Sequence, residues 1–475
     1  MFSIVRTAIT VVASLCIGLS LYAREGQLEL SAIDRDTGKP IAVRVHLQNV
    51  TTKKPVKPPG VPALDDHFVF YDKVKLKLPL GNYRFVMERG PEYLTRTGHF
   101  TINNYADDRK TVDMKRFVDM AAEGWYAGDL DVHRRETEIE LLMRAEDLYI
   151  ATLGASGRTD KAGANHTATQ FDGTRFYALR DVNGDPPLPF SWDLPLGVAG
   201  GKLESVQIAH RHLLRYGMVN HKAGGRPRDL AVYPGVLGNG VWSLDIYYHL
   251  LNCSLRLPPT AGSGSGWQRE ATALRGNGPA AKAALRNNFN PVGYNRVYVF
   301  IEGEPSWEKW WEGLRTGRAM VTNGPLIRPS VEGQPPGHVF HAEQGQTVEL
   351  EIGLSLSTRD QISYLEVVKN GATAHSARLD KWKASGGKLP SLKFTESGWF
   401  LIRAVADDPS TYRFATTAPY YVQIGDRLRI SRASAQFFVN WCSDRVKAPE
   451  RDESLADWRR AEAYWTGLLN RANAP

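Results

Sequence analysis

The chain has 475 residues, 42% hydrophobic and 23% charged, with 59 Lys and Arg against 51 Asp and Glu for a formal net charge of +8. These are globular proportions and exclude a disordered, collagen-like or multi-pass membrane chain. The positive excess is mild and no run of five basic residues occurs, so the composition gives no indication of a nucleic-acid partner. At roughly 150 residues per domain the length corresponds to about three domains.

Residues 1–23 read as a targeting signal rather than as structure. Arg6 precedes an apolar run from Thr7 to Leu21, and Ala23 stands before Arg24. A positive start, an apolar middle and a small residue at the cut describe a secretory signal peptide. The expected location is therefore periplasmic or extracellular, with no stable membrane insertion once the signal is removed. An uncleaved anchor is the alternative, because the run is near the shortest that spans. Of the three cysteines, Cys16 lies in this segment. Cys253 and Cys442 remain, as one disulfide or as two buried thiols.

Residues 24–115 alternate with period two at Leu28–Ile33, Val43–Leu47 and Val74–Leu78. Turn signals at Asp36-Thr37-Gly38-Lys39-Pro40 and Gly81-Asn82 separate the runs. This predicts antiparallel strands with one buried face, a small β-sandwich. The opening Asp34-x-x-Thr37-Gly38-Lys39-Pro40-Ile41 and the later Leu78-Pro79-Leu80-Gly81-Asn82-Tyr83 resemble carboxypeptidase regulatory-like or transthyretin-like modules.

Residues 116–330 mix helical and strand patterns, which points to an α/β layer or barrel. Ile139, Leu142, Met143 and Ala145 have helical spacing, and Tyr149–Leu153 follows as a short buried strand. Leu203–Ile208, Gly217–Asn220 and Arg296–Ile301 are further strand candidates, and Trp307–Arg315 is a helix candidate. Residues 331–428 return to alternation at Thr347–Ile352 and Tyr364–Val368, with a hairpin signal at Asn370-Gly371 and a strand at Gly398–Ala406. Residues 429–475 form a helical tail, in which Leu455, Trp458, Ala461 and Leu468 share one stripe.

The chemistry concentrates in Gly128-Asp129-Leu130-Asp131-Val132-His133-Arg134. Alternate residues of a strand face one way, so Asp129, Asp131 and His133 would converge. Carboxylate and imidazole ligands suit zinc or manganese. The competing reading is a strand end with surface carboxylates and a structural histidine. There is no Gly-x-Ser-x-Gly elbow, phosphate-binding P-loop or His-Glu-x-x-His motif. Twelve tryptophans would serve sugar stacking if exposed; ordinary packing is the commoner use.

That stretch resembles the first metal motif of the PHP (polymerase and histidinol phosphatase) family, and in particular its secreted CehA/McbA-type branch. Gly313-Leu314-Arg315-Thr316-Gly317-Arg318 with Val321-Thr322-Asn323-Gly324-Pro325 is similar to the closing segment of the same branch. The resemblance covers about 116–330. It implies a distorted α/β barrel between the two β modules, binding divalent metal and hydrolysing a phosphoester, carbamate or amide by metal-activated water. Carried onto this chain, Asp131, His133 and His221 would hold the metal and Asp129 would ligate or orient. Arg134 or Arg158 would bind an anionic group of a small-molecule or glycan substrate.

The chain also departs from the pattern. Asp131 stands where the motif has a histidine. The expected Thr-Asp-His is replaced by a stretch containing Arg158 and Asp160, with His166 the nearest histidine. The late Ser-Asp pair has become Ser263-Gly264. His210 and His212 are candidate replacements as a same-face pair, Glu204 and Asp229 are further candidates, and His249 and Asp245 read as packed helix residues. Two functions follow: an exported metal-dependent hydrolase, or a non-catalytic PHP-fold relative of the cell envelope that binds a ligand such as a carbohydrate, its metal absent. Nothing in the sequence specifies an oligomer.

Overall fold

The computed structural model describes residues 25–64, 66–154, 168–179, 186–215, 217–218, 225–267, 290–448 and 454–475. The expected signal segment lies outside them, as do Arg158, Asp160, His166 and His221.

The N-terminal module is a sandwich of two sheets. In one, β1 (Glu25–Asp34) pairs with β5 (Lys73–Pro79) and β8 (Asp107–Met114). The other runs β3 (Ala63–Leu64), β4 (His67–Tyr71), β2 (Ala42–Asn49), β6 (Gly81–Glu88), β7 (Arg96–Ile102). Period-two patterning puts Val74, Leu76 and Leu78 inward and Lys73, Lys75 and Lys77 outward. The core takes Leu30 from one sheet and Val45, Phe68 and Phe85 from the other, so the predicted β-sandwich is present.

The central region starts as a parallel unit: β9 (Trp125–Val132), α1 (Glu136–Glu146), β10 (Ile150–Leu153). Next come β11 (Thr169–Phe171) and β12 (Arg175–Leu179), the latter parallel to β10. The chain continues through α2 (Leu194–Ala199), β13 (Val206–Ala209), the short hairpin β14 (Leu213–Leu214) and β15 (Gly217–Met218), and α3 (Gly238–Asn252). It closes with β16 (Pro259–Ala261), β17 (Arg296–Phe300), α4 (Trp307–Arg315) and β18 (Ala319–Thr322). β13 and β16 pair in parallel, and Val132 bridges Ser265 at the end of β9. Those two contacts bring the late Gly-Ser loop onto the strand that carries the acidic motif.

The C-terminal β region holds β19 (Leu326–Val331), β20 (Val339–Ala342), β21 (Val348–Ser357), β22 (Ile362–Lys369) and β23 (Ala372–Ala377). It continues with α5 (Leu379–Ala384), β24 (Lys388–Phe394), β25 (Gly398–Ala406), β26 (Phe414–Thr417) and β27 (Tyr420–Ile424). The β22–β23 turn is the expected Asn370-Gly371, both with positive φ (51° and 88°). β19, β21 and β24 form one sheet; β25 joins β22, β26 and β27 in the other.

Two differences from the sequence reading concern architecture. Across the expected boundary near 330, β18 pairs with β26. One sheet of twelve strands therefore runs from β11 to β23 through both regions. Among the described residues its path is open at both ends. The parallel α/β character expected of a barrel is confined to β9, β10 and β12 with α1 and to the β13–β16 pair. The mainly β, sandwich-like class stands.

The tail is no appendage. α6 (Arg432–Lys447) and α7 (Leu455–Asn470) start at Ser431 and Ser454, whose hydroxyls accept from the Ser434 and Asp457 amides. The stripe Trp458, Ala461, Trp465 and Leu468 is buried. Trp465 stacks on Phe438 at 4.2 Å and donates to the Pro195 carbonyl at 3.2 Å, tying the tail to α2. Cys253 and Cys442 are buried free thiols. Among the described residues no helix is long and apolar enough to cross a membrane.

α4 shows the fate of the tryptophan cluster. Trp310 is 1% exposed, and its indole donates to the Tyr126 carbonyl at 2.9 Å. It lies over Gly128 of β9, where a Cβ would meet the ring at 2.5 Å. This is packing rather than an exposed sugar platform. Trp310→Ala should cost on the order of 3–5 kcal/mol of unfolding free energy in denaturant titration; a loss below about 1 kcal/mol would contradict the packing described.

Candidate functional site

The C-terminal end of β9 carries two carboxylates that are completely buried, Asp129 and Asp131. They are compensated in different ways. Asp129 Oδ1 accepts from the amides of Asp131 (3.1 Å) and Ser263 (2.9 Å). Its Oδ2 accepts from the Ser263 hydroxyl (2.5 Å) and the Gly293 amide (2.7 Å). Four donors from three chain segments saturate one carboxylate. Burial raises its pKa to about 6, opposed by those hydrogen bonds.

Asp131 meets a guanidinium. Arg211 Nε lies 2.8 Å from Oδ2 and Nη2 lies 3.1 Å from Oδ1, a two-point contact. His133 Nε2 is 2.8 Å from the same Oδ1. Arg211 also lies over the Trp267 ring at 4.6 Å. Glycines make the room. Gly264, with φ +64°, faces Arg211 so closely that a Cβ there would collide with its side chain, and a Cβ at Gly262 would collide with Asp131. At Gly154 a Cβ would sit 2.9 Å from the His133 ring. The Gly-Ser loop packs against β9 because it lacks side chains.

Of the expected ligand set, Asp131 and His133 are in contact (2.8 Å), whereas the Asp129 carboxylate turns to Ser263 and Gly293 and the three do not form one ligand group; His221 lies outside the described residues. Asp129 has spent its acceptor capacity on neutral donors. Asp131 is already paired with a cation, which a divalent ion would have to displace or face across a few ångströms. Among the described residues, Asp129, Asp131 and His133 offer no three-ligand group for zinc or manganese.

The expected anion-binding arginine is also committed elsewhere. Arg134 donates to Glu138 Oε2 at 2.9 Å and to the Ala63 carbonyl at 3.3 Å, fastening the start of α1 to the N-terminal module. Arg158 lies outside the described residues. His210 and His212 are buried and packed around Phe190, at 5.2 and 5.1 Å between ring centres. Burial holds both imidazoles below their ordinary pKa, so they are neutral core residues. Glu204 is exposed, and Asp229 caps a turn by accepting from Ala231 and Val232. His249 is the packed helix residue expected, stacked on Phe437 at 4.3 Å.

A second cluster escaped the sequence reading. His46 Nδ1 is 3.1 Å from Asp66 Oδ2, and His67 Nδ1 is 2.9 Å from Oδ1. The three could hold a metal ion by distance alone. Their surroundings oppose it. Arg215 Nη1 sits 3.0 Å from His46 Nε2. Burial lowers the His67 pKa to about 3, helped by the nearby charge of Arg44. Both imidazoles spend Nδ1–H on Asp66. Sequence distance hid the cluster: His46 pairs across strands with residues about twenty positions away.

The saturation of Asp129 is testable. Asp129→Asn turns an amide donor toward the Ser263 hydroxyl and the Gly293 amide and should cost about 2–4 kcal/mol in chemical denaturation. The pH profile carries a sign. Asp129 binds its proton more tightly folded (about 6) than unfolded (3.8). Its contribution to stability is therefore fully present below about pH 4 and falls as pH rises through about 6. Wild type should lose stability relative to Asp129→Asn across that window; a constant difference would contradict the assignment.

Comparisons with known proteins give no family: no family model matches the chain, and no curated protein matches it. Solved structures give remote likenesses. Fibronectin(III)-like modules of Clostridium thermocellum CbhA share 13% identity over 21% of this chain and 99% of theirs, with a TM-score of 0.15. The N-terminal four Ig domains of Dscam1 isoform 8.4 share 8% over 86% and 74%, with a TM-score of 0.16. Bacteroides uniformis beta-glucuronidase 3 shares 12% over 86% and 64%, also with a TM-score of 0.16. At such scores the likeness says nothing of activity.

Proposed function

We propose that this chain is a metal-independent binding protein of the cell envelope that keeps the strand-end layout of a PHP-type hydrolase without its ion. The observation that carries the reading is the two-point contact of Arg211 with the buried Asp131 carboxylate. A guanidinium cannot be deprotonated at accessible pH and stacks well on an indole, so this is a permanent internal counter-ion. Its charge does for Asp131 what a metal would do, with no exchangeable site and no activated water. The hydrogen-bond saturation of Asp129 supports the same reading.

What remains at the strand end suits recognition. His133 keeps 11% of its side chain exposed, and half-buried Trp267 stands beside Arg211. An imidazole, a guanidinium and an indole are the side chains that hydrogen-bond and stack on a small polar or glycan ligand. The two β-sandwich-like modules frame this region.

Metal content decides between the two functional classes. The full chain, purified without chelators, should carry no stoichiometric zinc or manganese by inductively coupled plasma mass spectrometry, and should gain none on dialysis against either ion. An Asp131→Ala/His133→Ala variant should give the same null. Stoichiometric metal in wild type that disappears in the variant would instead support the exported metal-dependent hydrolase.

A further inference from the structure

A cavity opens where the N-terminal sandwich, the end of α1 and the C-terminal β region meet. Its volume is about 30 Å³, enough for one or two water-sized groups, and it opens to solvent. Arg44 of β2, Glu146 of α1, Tyr294 and Arg296 at the start of β17, Arg359 and Arg413 line it. It is distinct from the strand-end cluster, although Gly293 belongs to both.

The charge of this lining is unbalanced. Arg413 pairs with Asp360 at 2.9 Å. Arg44 reaches Glu88 at 2.9 Å and Glu146 at 3.3 Å. Arg215 adds a further cation, 2.7 Å from Glu88. Arg296 donates to the Gly293 carbonyl (2.6 Å) and the Glu146 carbonyl (2.9 Å) and lies 3.7 Å from the Glu146 carboxylate, and Arg359 lies 3.8 Å from Glu88. Among the described residues, the four lining guanidiniums that form ion pairs (Arg44, Arg296, Arg359 and Arg413) thus share three carboxylates, Glu88, Glu146 and Asp360, with Arg215 also on Glu88.

Donors are also left over. Arg44 is 4% exposed, and its Nη1 makes no hydrogen bond; the buried Tyr294 hydroxyl makes none either. A buried N–H or O–H without an acceptor costs on the order of 1–3 kcal/mol, more when it carries charge. The one acceptor on the lining in the same state, Glu146 Oε1, already faces Arg44 Nε. Surplus cations and unspent donors around one enclosed space call for an acceptor with negative charge.

We propose that this cavity is a binding site for a small oxyanion, the phosphate or carboxylate group of a ligand, held by Arg44 and Tyr294 with Arg359 and Arg413 supplying charge. Guanidinium forks match both groups, and the small space would admit their oxygens from the mouth rather than a whole ligand. This inference does not depend on the function proposed above.

The test uses the full chain, with inorganic phosphate and acetate as separate probes against chloride at matched ionic strength. Isothermal titration and the thermal midpoint are read together. One of the two anions should bind and raise the midpoint beyond chloride, and which one does separates a tetrahedral from a planar group. Tyr294→Phe keeps the ring and removes only the hydroxyl; it should weaken binding about tenfold with unchanged circular dichroism. Arg44→Met should abolish binding. Asp131→Ala/His133→Ala should leave the affinity unchanged. The proposal falls if neither anion exceeds chloride, if Tyr294→Phe binds as wild type, or if the strand-end variant loses binding.

Discussion

The fold depends on how its buried carboxylates are compensated. A carboxylate removed from water must be met by donors or by a cation, or it will destabilise the structure that encloses it. Asp147 ends α1 in a left-handed conformation (φ 56°) and is almost fully buried. It is met by Arg175 at 2.7 Å, Arg116 at 2.5 Å and Arg89 at 3.3 Å. Arg116 also reaches Glu92 at 2.8 Å, and Tyr298 of β17 donates to the other Glu92 oxygen at 3.0 Å. Those residues come from the N-terminal module, the segment that follows it, and three central elements. The ionic ladder therefore fixes the module against the twelve-stranded sheet, where apolar packing alone would leave the register of two flat surfaces open.

The same constraint shapes the end of β9. Asp129 and Asp131 stand two positions apart on one strand, yet one is held by neutral donors and the other by a guanidinium. The neutral solution needs close backbone approach, which Ser263 and Gly293 supply from far along the chain. The charged solution needs volume for a long side chain, which Gly264 supplies by having none. Each answer uses up the carboxylate. Two acids that look like metal ligands in the sequence thereby become internal fastenings between β9 and the loop after β16.

This explains which parts of the structure were legible from sequence. The helix over Trp307–Arg315 and the strand over Gly398–Ala406 match the predicted ranges because their signals are local: apolar spacing, a serine cap, a flanking glycine. The stripe of α7 was readable for the same reason. The junction of β18 with β26 was not, because strand order is a long-range property and both strands are short and buried on every side. At the site, period-two geometry put Asp129, Asp131 and His133 on one strand end, but of the three only Asp131 and His133 meet through their side chains. Their use was not readable. Ser263-Gly264 looks like a lost ligand pair in sequence; in the fold it is a hydroxyl donor and a space. Arg211, the residue that decides the site, sits between His210 and His212, and the two histidines are the more conspicuous candidates although both are core.

A site that depends on a metal ion links its stability to the ions in solution. On the function proposed above, the Arg211 guanidinium supplies the counter-charge, which as part of the chain is independent of the ions in solution. It also shifts what the surrounding region can recognise. Around Asp131 the charges close on themselves, and the neighbouring His210 and His212 are neutral. Across Gly293, Arg44, Arg296, Arg359 and Arg413 share Glu88, Glu146 and Asp360 among the described residues, and a donor of Arg44 and the Tyr294 hydroxyl make no hydrogen bond. The field that would attract a divalent cation is spent at the strand end, and positive charge is in excess at the module junction. That distribution is the one the proposed oxyanion site requires, and the net charge of +8 adds attraction for anions at longer range.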